Sequence, residues 1–121
     1  MLYKRFEDLP IWKSAFEIVV RIYKETEKIR DFTLKDHLRR TALSIPSNIA
    51  EGFERGSSKE FMRFLFIAKG SSGELRTQLR IAQQMGFFSS KKCKELISDV
   101  ENISRQIMGL IESIKKRKLN K

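Results

Sequence analysis

Apolar residues recur at intervals of three and four in four successive stretches of the chain, the spacing of amphipathic helices. In the first stretch Ile11, Ala15, Ile18 and Ile22 make one row, and Trp12, Phe16, Val19 and Tyr23 a second beside it. A helix is predicted there from an N-cap at Asp8, with Pro10 in its first turn, to about Ile29. In the second stretch Leu38, Ala42, Ile45, Ile49 and Phe53 fall within about 80° of one another at roughly 100° per residue. Thr33 is the expected cap, and the helix runs to about Glu54. Pro46 lies inside it and removes a backbone donor, which Ser44 and Ser47 are placed to offset. Gly56 reads as a stop. Ser57 with Glu60 reads as a capping box for a third helix, ending near Met85 before Gly86. Its row is Phe61, Phe64, Leu65, Ala68, Leu75, Leu79 and Ala82. Ser89 or Ser90 caps a fourth helix with the row Leu96, Val100, Ile103, Ile107, Leu110 and Ile114.

Short links between helices favour antiparallel neighbours. The predicted fold is therefore all-α, an antiparallel up-down-up-down four-helix bundle over residues 1–114, followed by a basic C-terminal tail, 115–121.

Two polar or mixed stripes are left over. On the second helix Arg40, Ser44, Asn48, Glu51 and Arg55 recur at +4, +4, +3 and +4. A solvated face is usually a Lys/Glu mixture, so this stripe reads as a hydrogen-bonding seam. With Ser71 and Glu74 of the third helix it is expected to form an interhelical salt-bridge network. On the third helix Met62, Phe66, Gly70 and Gly73 lie well away from the core row. Together with Trp12, Phe16 and Tyr23 they are the expected surface for self-association, because the small residues let another backbone approach closely. The competing reading places both glycines at a tight crossing inside the bundle.

Charge changes the functional picture. The chain has 121 residues, 25 Lys and Arg against 15 Asp and Glu, and a net charge of +10. Half of that excess lies in 115–121, where Lys115, Lys116, Arg117 and Lys118 are followed by Lys121. Lys69, Arg76 and Arg80 share one side of the third helix, and Lys59 and Arg63 share another. Such cations suit a polyanion, most simply a nucleic-acid backbone. No run is long and apolar enough for a membrane span. The N-terminal stretch turns acidic at Glu7 and Asp8, where a secretory signal needs an apolar centre. A cytoplasmic protein is expected.

Reactive chemistry is sparse. His37 is the sole histidine and Cys93 the sole cysteine, too few for a metal site; no metal or cofactor is expected. Cys93, near a helix start, is a candidate for a mildly depressed pKa, with an inert thiol the commoner case. Gly70-Ser-Ser-Gly73 lacks the Gly-Lys-Ser/Thr ending of a phosphate loop. Glu51 and Glu74 read as structural carboxylates with arginine partners, so no enzymatic activity is expected.

The run Ser44-Ile-Pro-Ser-Asn-Ile-Ala-Glu-Gly-Phe53, with Ser57-Ser-Lys-Glu-Phe61, Gly70-Ser-Ser-Gly-Glu-Leu75 and Phe6-Glu-Asp-Leu-Pro-Ile-Trp12, resembles a bacterial four-helix-bundle family. That family is named for proteins encoded in intervening sequences of 23S rRNA genes. The likeness covers about Tyr3 to Ile114. It implies a small cytoplasmic protomer that assembles into a pentameric ring. It also extends to the accessory variability protein of diversity-generating retroelements, which implies a nucleic-acid or reverse-transcriptase partner. Gly73 departs from the bulkier residue expected in relatives. Two functions follow as expectations: an oligomer that binds nucleic acid through a basic surface, or a homo-oligomeric scaffold for an enzyme partner.

Overall fold

A computed structural model describes residues 3–119, with side chains through Arg117. A 3-10 turn, Phe6–Asp8, leads into α1 (Pro10–Thr26), α2 (Phe32–Glu54), α3 (Ser58–Gln84) and α4 (Ser90–Leu119). Among the described residues each helix packs on its neighbour in sequence, and α1 also packs on α4. Contacts fix the directions. Thr41 and Phe53 of α2 meet Glu74 and Phe61 of α3. Arg21 and Glu25 of α1 meet Asp99 and Lys92 of α4. Both pairs of helices are antiparallel, as a four-helix bundle with short links requires.

The apolar rows of the sequence are the core. Ile11, Ala15, Ile18, Ile22, Leu38, Ala42, Ile45, Ile49, Leu65, Ala68, Leu75, Leu79, Val100 and Ile107 are all buried. On α4 the row bends by one residue: Ile111 is buried where Leu110 was expected, and Leu110 is half-buried. Burial ends at Ile114 while the helix continues to Leu119. Residues 115–119 are thus the last turns of α4.

Several helix ends differ from expectation. Asp8 closes the 3-10 turn, and Leu9 takes the cap position of α1 with no side-chain bond. Its buried side chain anchors the entry, and Pro10 has no N–H in need of a cap. The end of α1 falls at Thr26, whose buried hydroxyl donates to the Ile22 carbonyl at 2.6 Å. Arg39 donates to that hydroxyl and to the Tyr23 carbonyl, closing the helix end from α2. The cap of α2 is Asp31, which accepts from the Leu34 N–H at 3.0 Å. Ser57 and Ser89 cap α3 and α4 as expected. Gly56 after α2 and Gly86 after α3, with φ of 81° and 78°, adopt the left-handed region that favours glycine.

The helix α2 passes through buried Pro46. Nearby, the Ser44 hydroxyl donates to the Thr41 carbonyl and the Asn48 amide to the Ser44 carbonyl, both at 2.7 Å. Close approach of α2 to α3 depends on Gly52. A Cβ there would stand 2.5 Å from Phe64 Cβ and 3.2 Å from the Phe61 ring. Gly70 has open space around it, and Gly73 has only the Arg76 guanidinium at 3.9 Å. The tight crossing therefore belongs to Gly52, and Gly70 and Gly73 play no part in packing the bundle.

Candidate nucleic-acid interface

The basic surface is assembled where α3 lies beside α4. Arg80 faces Glu101 at 3.9 Å, and the Lys115 ammonium sits 5.5 Å from the centre of the Phe66 ring. The interval from 66 to 80 equals that from 101 to 115, so the two helices run antiparallel in register. Lys69 and Arg76 fall on this same edge of α3 by helical spacing. Arg105 of α4 falls opposite Arg76 and bonds Asn102 at 2.8 Å. Five cations from two helices thus share one face with Glu101 and Glu112. Lys116 continues it on the final turns of α4, while Arg117, also exposed, falls about 150° round the helix from this edge. Lys118 lies beyond the described side chains.

These cations differ in freedom. Lys69 and Arg76 are half-buried, and Arg76 Nε is buried without a hydrogen-bond partner. The ion pairs of Arg80 and Arg105 are solvent-exposed on the arginine side, and such pairs contribute little. A phosphate can replace Glu101 as their partner at small cost. Lys59 and Arg63 lie apart, near the α2–α3 turn. Arg63 donates to Glu60 at 2.8 Å and stands over the Phe64 ring at 4.5 Å. That bond holds the Glu60 carboxyl below its ordinary value and raises the arginine further. Arg63 is therefore engaged within the chain.

The expected interhelical salt-bridge network does not form as drawn. Arg40 pairs with Asp36 on its own helix at 3.2 Å. Arg55 pairs with Glu51 at 2.8 Å and approaches Glu60 at 3.7 Å. Glu74 accepts from the Thr41 hydroxyl at 3.0 Å, with no arginine in contact among the described residues. Ser44, Asn48, Ser71 and Glu74 instead line an open groove of about 690 Å³ between α2 and α3. The row on α2 that faces α3 is His37, Thr41, Ser44 and Asn48. It shares Ser44 and Asn48 with the stripe built on Arg40 but is centred roughly 30° nearer the core. Thr41, 5% exposed, is the signal that was readable and missed.

The apolar candidates divide between two surfaces. Trp12 packs on Phe6 and Phe16 at ring separations of 5.4 and 5.2 Å. Phe16 remains 50% exposed and borders an apolar groove of about 410 Å³ with Val20, Leu43 and Pro46. Tyr23 is partly covered by the Arg39 guanidinium, 4.4 Å from its ring. On α3, Phe66 and its neighbour Ile67 are exposed, and Met62 packs partly against the core. Val20, Leu43 and Ile67 were not marked in the sequence, because a single exposed aliphatic side chain carries no periodic signal.

Other chemistry is absent from the described residues. No group of three His, Cys, Asp or Glu side chains is placed to hold a metal, and no helix is long and apolar enough to cross a membrane. Cys93 is buried, and its thiol donates to the Leu79 carbonyl at 3.1 Å. Burial pushes its pKa up from 9.0, against the depressed value considered from sequence.

The backbone is similar to a solved crystal structure from Bacteroides thetaiotaomicron VPI-5482, a protein with unknown function from the S23 ribosomal protein family. The TM-score is 0.78 at 22% identity, covering 84% of this chain and 97% of that one. That likeness shows the shared fold. Among curated proteins, none matches. The model of one family, 23S rRNA-intervening sequence protein, matches residues 7–109, and with the four-helix architecture already in place, the chain belongs to the 23S rRNA-intervening sequence protein family.

Proposed function

We propose that this protein is a non-enzymatic, homo-oligomeric cytoplasmic protein that binds a nucleic-acid backbone through its α3–α4 face. The observation that carries this reading is the convergence of Lys69, Arg76, Arg80, Arg105 and Lys115 from two helices onto one side, continued by Lys116. Phosphate contacts of this kind give affinity without sequence readout. The exposed Phe66 beside them adds a ring on which an unpaired base can stack.

Self-association draws support from the apolar groove at Phe16, Val20, Leu43 and Pro46, which lies on a different side from Phe66 and Ile67. A pentamer is the assembly that the family resemblance suggests. The same groove also favours a second reading, a scaffold that docks an enzyme partner such as a reverse transcriptase.

The test is fluorescence anisotropy with a labelled RNA duplex and a labelled single strand, over a range of salt. Binding by four or five phosphates corresponds to a log–log salt slope of about −4 on duplex. Affinity should be indifferent to sequence and should drop when residues 115–121 are removed. No binding at low salt, or binding indifferent to salt, rejects the proposal and leaves the scaffold reading.

A further inference from the structure

The flank of α3 that meets α2 carries the opposite chemistry. In the groove between these helices the donors are mostly committed. The Thr41 hydroxyl is given to Glu74 Oε1 at 3.0 Å, the Ser44 hydroxyl to the Thr41 carbonyl, and the Asn48 amide to the Ser44 carbonyl. Arg40 is drawn outward by Asp36. Two oxygen acceptors remain. Glu74 has its second carboxylate oxygen, and Gln78 Oε1 is buried with no partner. Buried polar atoms are almost always paired, so an orphan acceptor facing a groove calls for a donor. Glu74 and Gln78 are one turn apart on the same face of α3, about 6 Å between Cβ atoms. Ile67, exposed on the same wall, offers an apolar surface.

We propose that this groove is a binding site for a guanidinium group. A guanidinium presents five N–H donors in a rigid planar fork and reaches two acceptors at once, while its flat face and aliphatic stem lie on Ile67. An ammonium, a compact and strongly hydrated charge, gains less from the same pair. Phosphate is disfavoured, because Arg40, the arginine that lines the groove, is paired with Asp36 and leaves the Glu74 charge unbalanced. The site therefore stands apart from the basic face and does not depend on the nucleic-acid reading.

The guanidinium can come free in solution or on a polypeptide, and the experiment separates the two. Isotope-labelled protein is titrated with arginine amide, with lysine amide, and with a short alanine-rich peptide carrying one arginine, while the side-chain amide signals of Gln78 and Asn48 are followed. Arginine amide is expected to move both signals and to bind at least tenfold tighter than lysine amide. Movement with the peptide alone assigns the site to a protein-borne arginine. Glu74→Gln, which keeps the side-chain shape, should lower the affinity tenfold or more. Asp36→Ala should also lower it, by freeing Arg40 to reach Glu74 as an internal competitor. Equal response to arginine and lysine, unchanged binding in Glu74→Gln with the fold intact, or no response to any of the three probes would overturn the proposal and leave the groove to water.

Discussion

On the side of α3 turned to α4, Lys69, Arg76 and Arg80 stand with Arg105 and Lys115 against two carboxylates. On the side turned to α2, Glu74 and Gln78 offer oxygen acceptors and the one nearby arginine is held outward by Asp36. The two flanks belong to one helix, separated by less than half a turn around its axis. A net charge of +10 describes the chain as a whole and neither flank in particular. What sets each flank is the neighbouring helix. Glu101 of α4 balances only part of the basic row, and the hydroxyls and amides of α2 are spent before they reach Gln78.

The strongest way to break this comparison is to reverse charge on one flank. Lys69→Glu with Arg80→Glu should weaken binding to an RNA duplex by about 100-fold at low salt and flatten the salt slope by about 2, since each lost phosphate contact removes about 0.9. Glu74→Gln on the other flank should leave that affinity within about twofold. Equal losses from both variants would show that the flanks are not distinct.

Packing supplies the next largest effect. Gly52→Ala drives a Cβ into Phe64 and should destabilise by about 2 kcal/mol, as overpacking does. That corresponds to a melting temperature lower by about 8 °C in a domain of this size. Gly70→Ala meets open space on α3 and should act in the opposite sense, stabilising by about 1 kcal/mol through helix propensity. A destabilised Gly70→Ala protein would place that glycine at a contact between copies, which sizing chromatography of the same variant would reveal.

The smallest effects belong to the exposed ion pairs. Arg40→Ala removes a pair whose side chains are 77% and 60% exposed and should change stability by less than about 0.5 kcal/mol by chemical denaturation. Cys93 should stay unmodified by a thiol reagent until the chain unfolds, because it is buried and its pKa is raised.

Much of the fold was legible in the sequence. Rows such as Ile11, Ala15, Ile18 and Ile22 must be buried, and helical spacing alone identifies them. Ser57, Gly56 and Gly86 mark their boundaries through local chemistry that neighbouring helices do not alter. The caps at Asp8 and Thr33 were misplaced, because several polar residues sit together there and tertiary contacts choose among them. At the first helix it is the burial of Leu9 that decides. The polar groove was only half legible. Sequence spacing placed Ser44, Asn48, Ser71 and Glu74 in one polar cluster, but centred the α2 stripe on Arg40 where Thr41 faces α3. Phase around a helix shifts by about 100° per residue, so an error of one position exchanges a surface pair for a buried bond. Gly52 was passed over and Gly70 weighed as a tight crossing, because a glycine in sequence does not say whether a neighbour stands beside it.

The account turns on the α3–α4 face as the surface that meets nucleic acid. Lysine acetylation read by mass spectrometry, with and without an RNA duplex at low salt, tests it residue by residue. Lys69, Lys115 and Lys116 should become protected, while Lys13 and Lys28 on and after α1 stay as reactive as in the free protein. Protection that spares Lys69 and Lys115, or falls equally on Lys13 and Lys28, would contradict it.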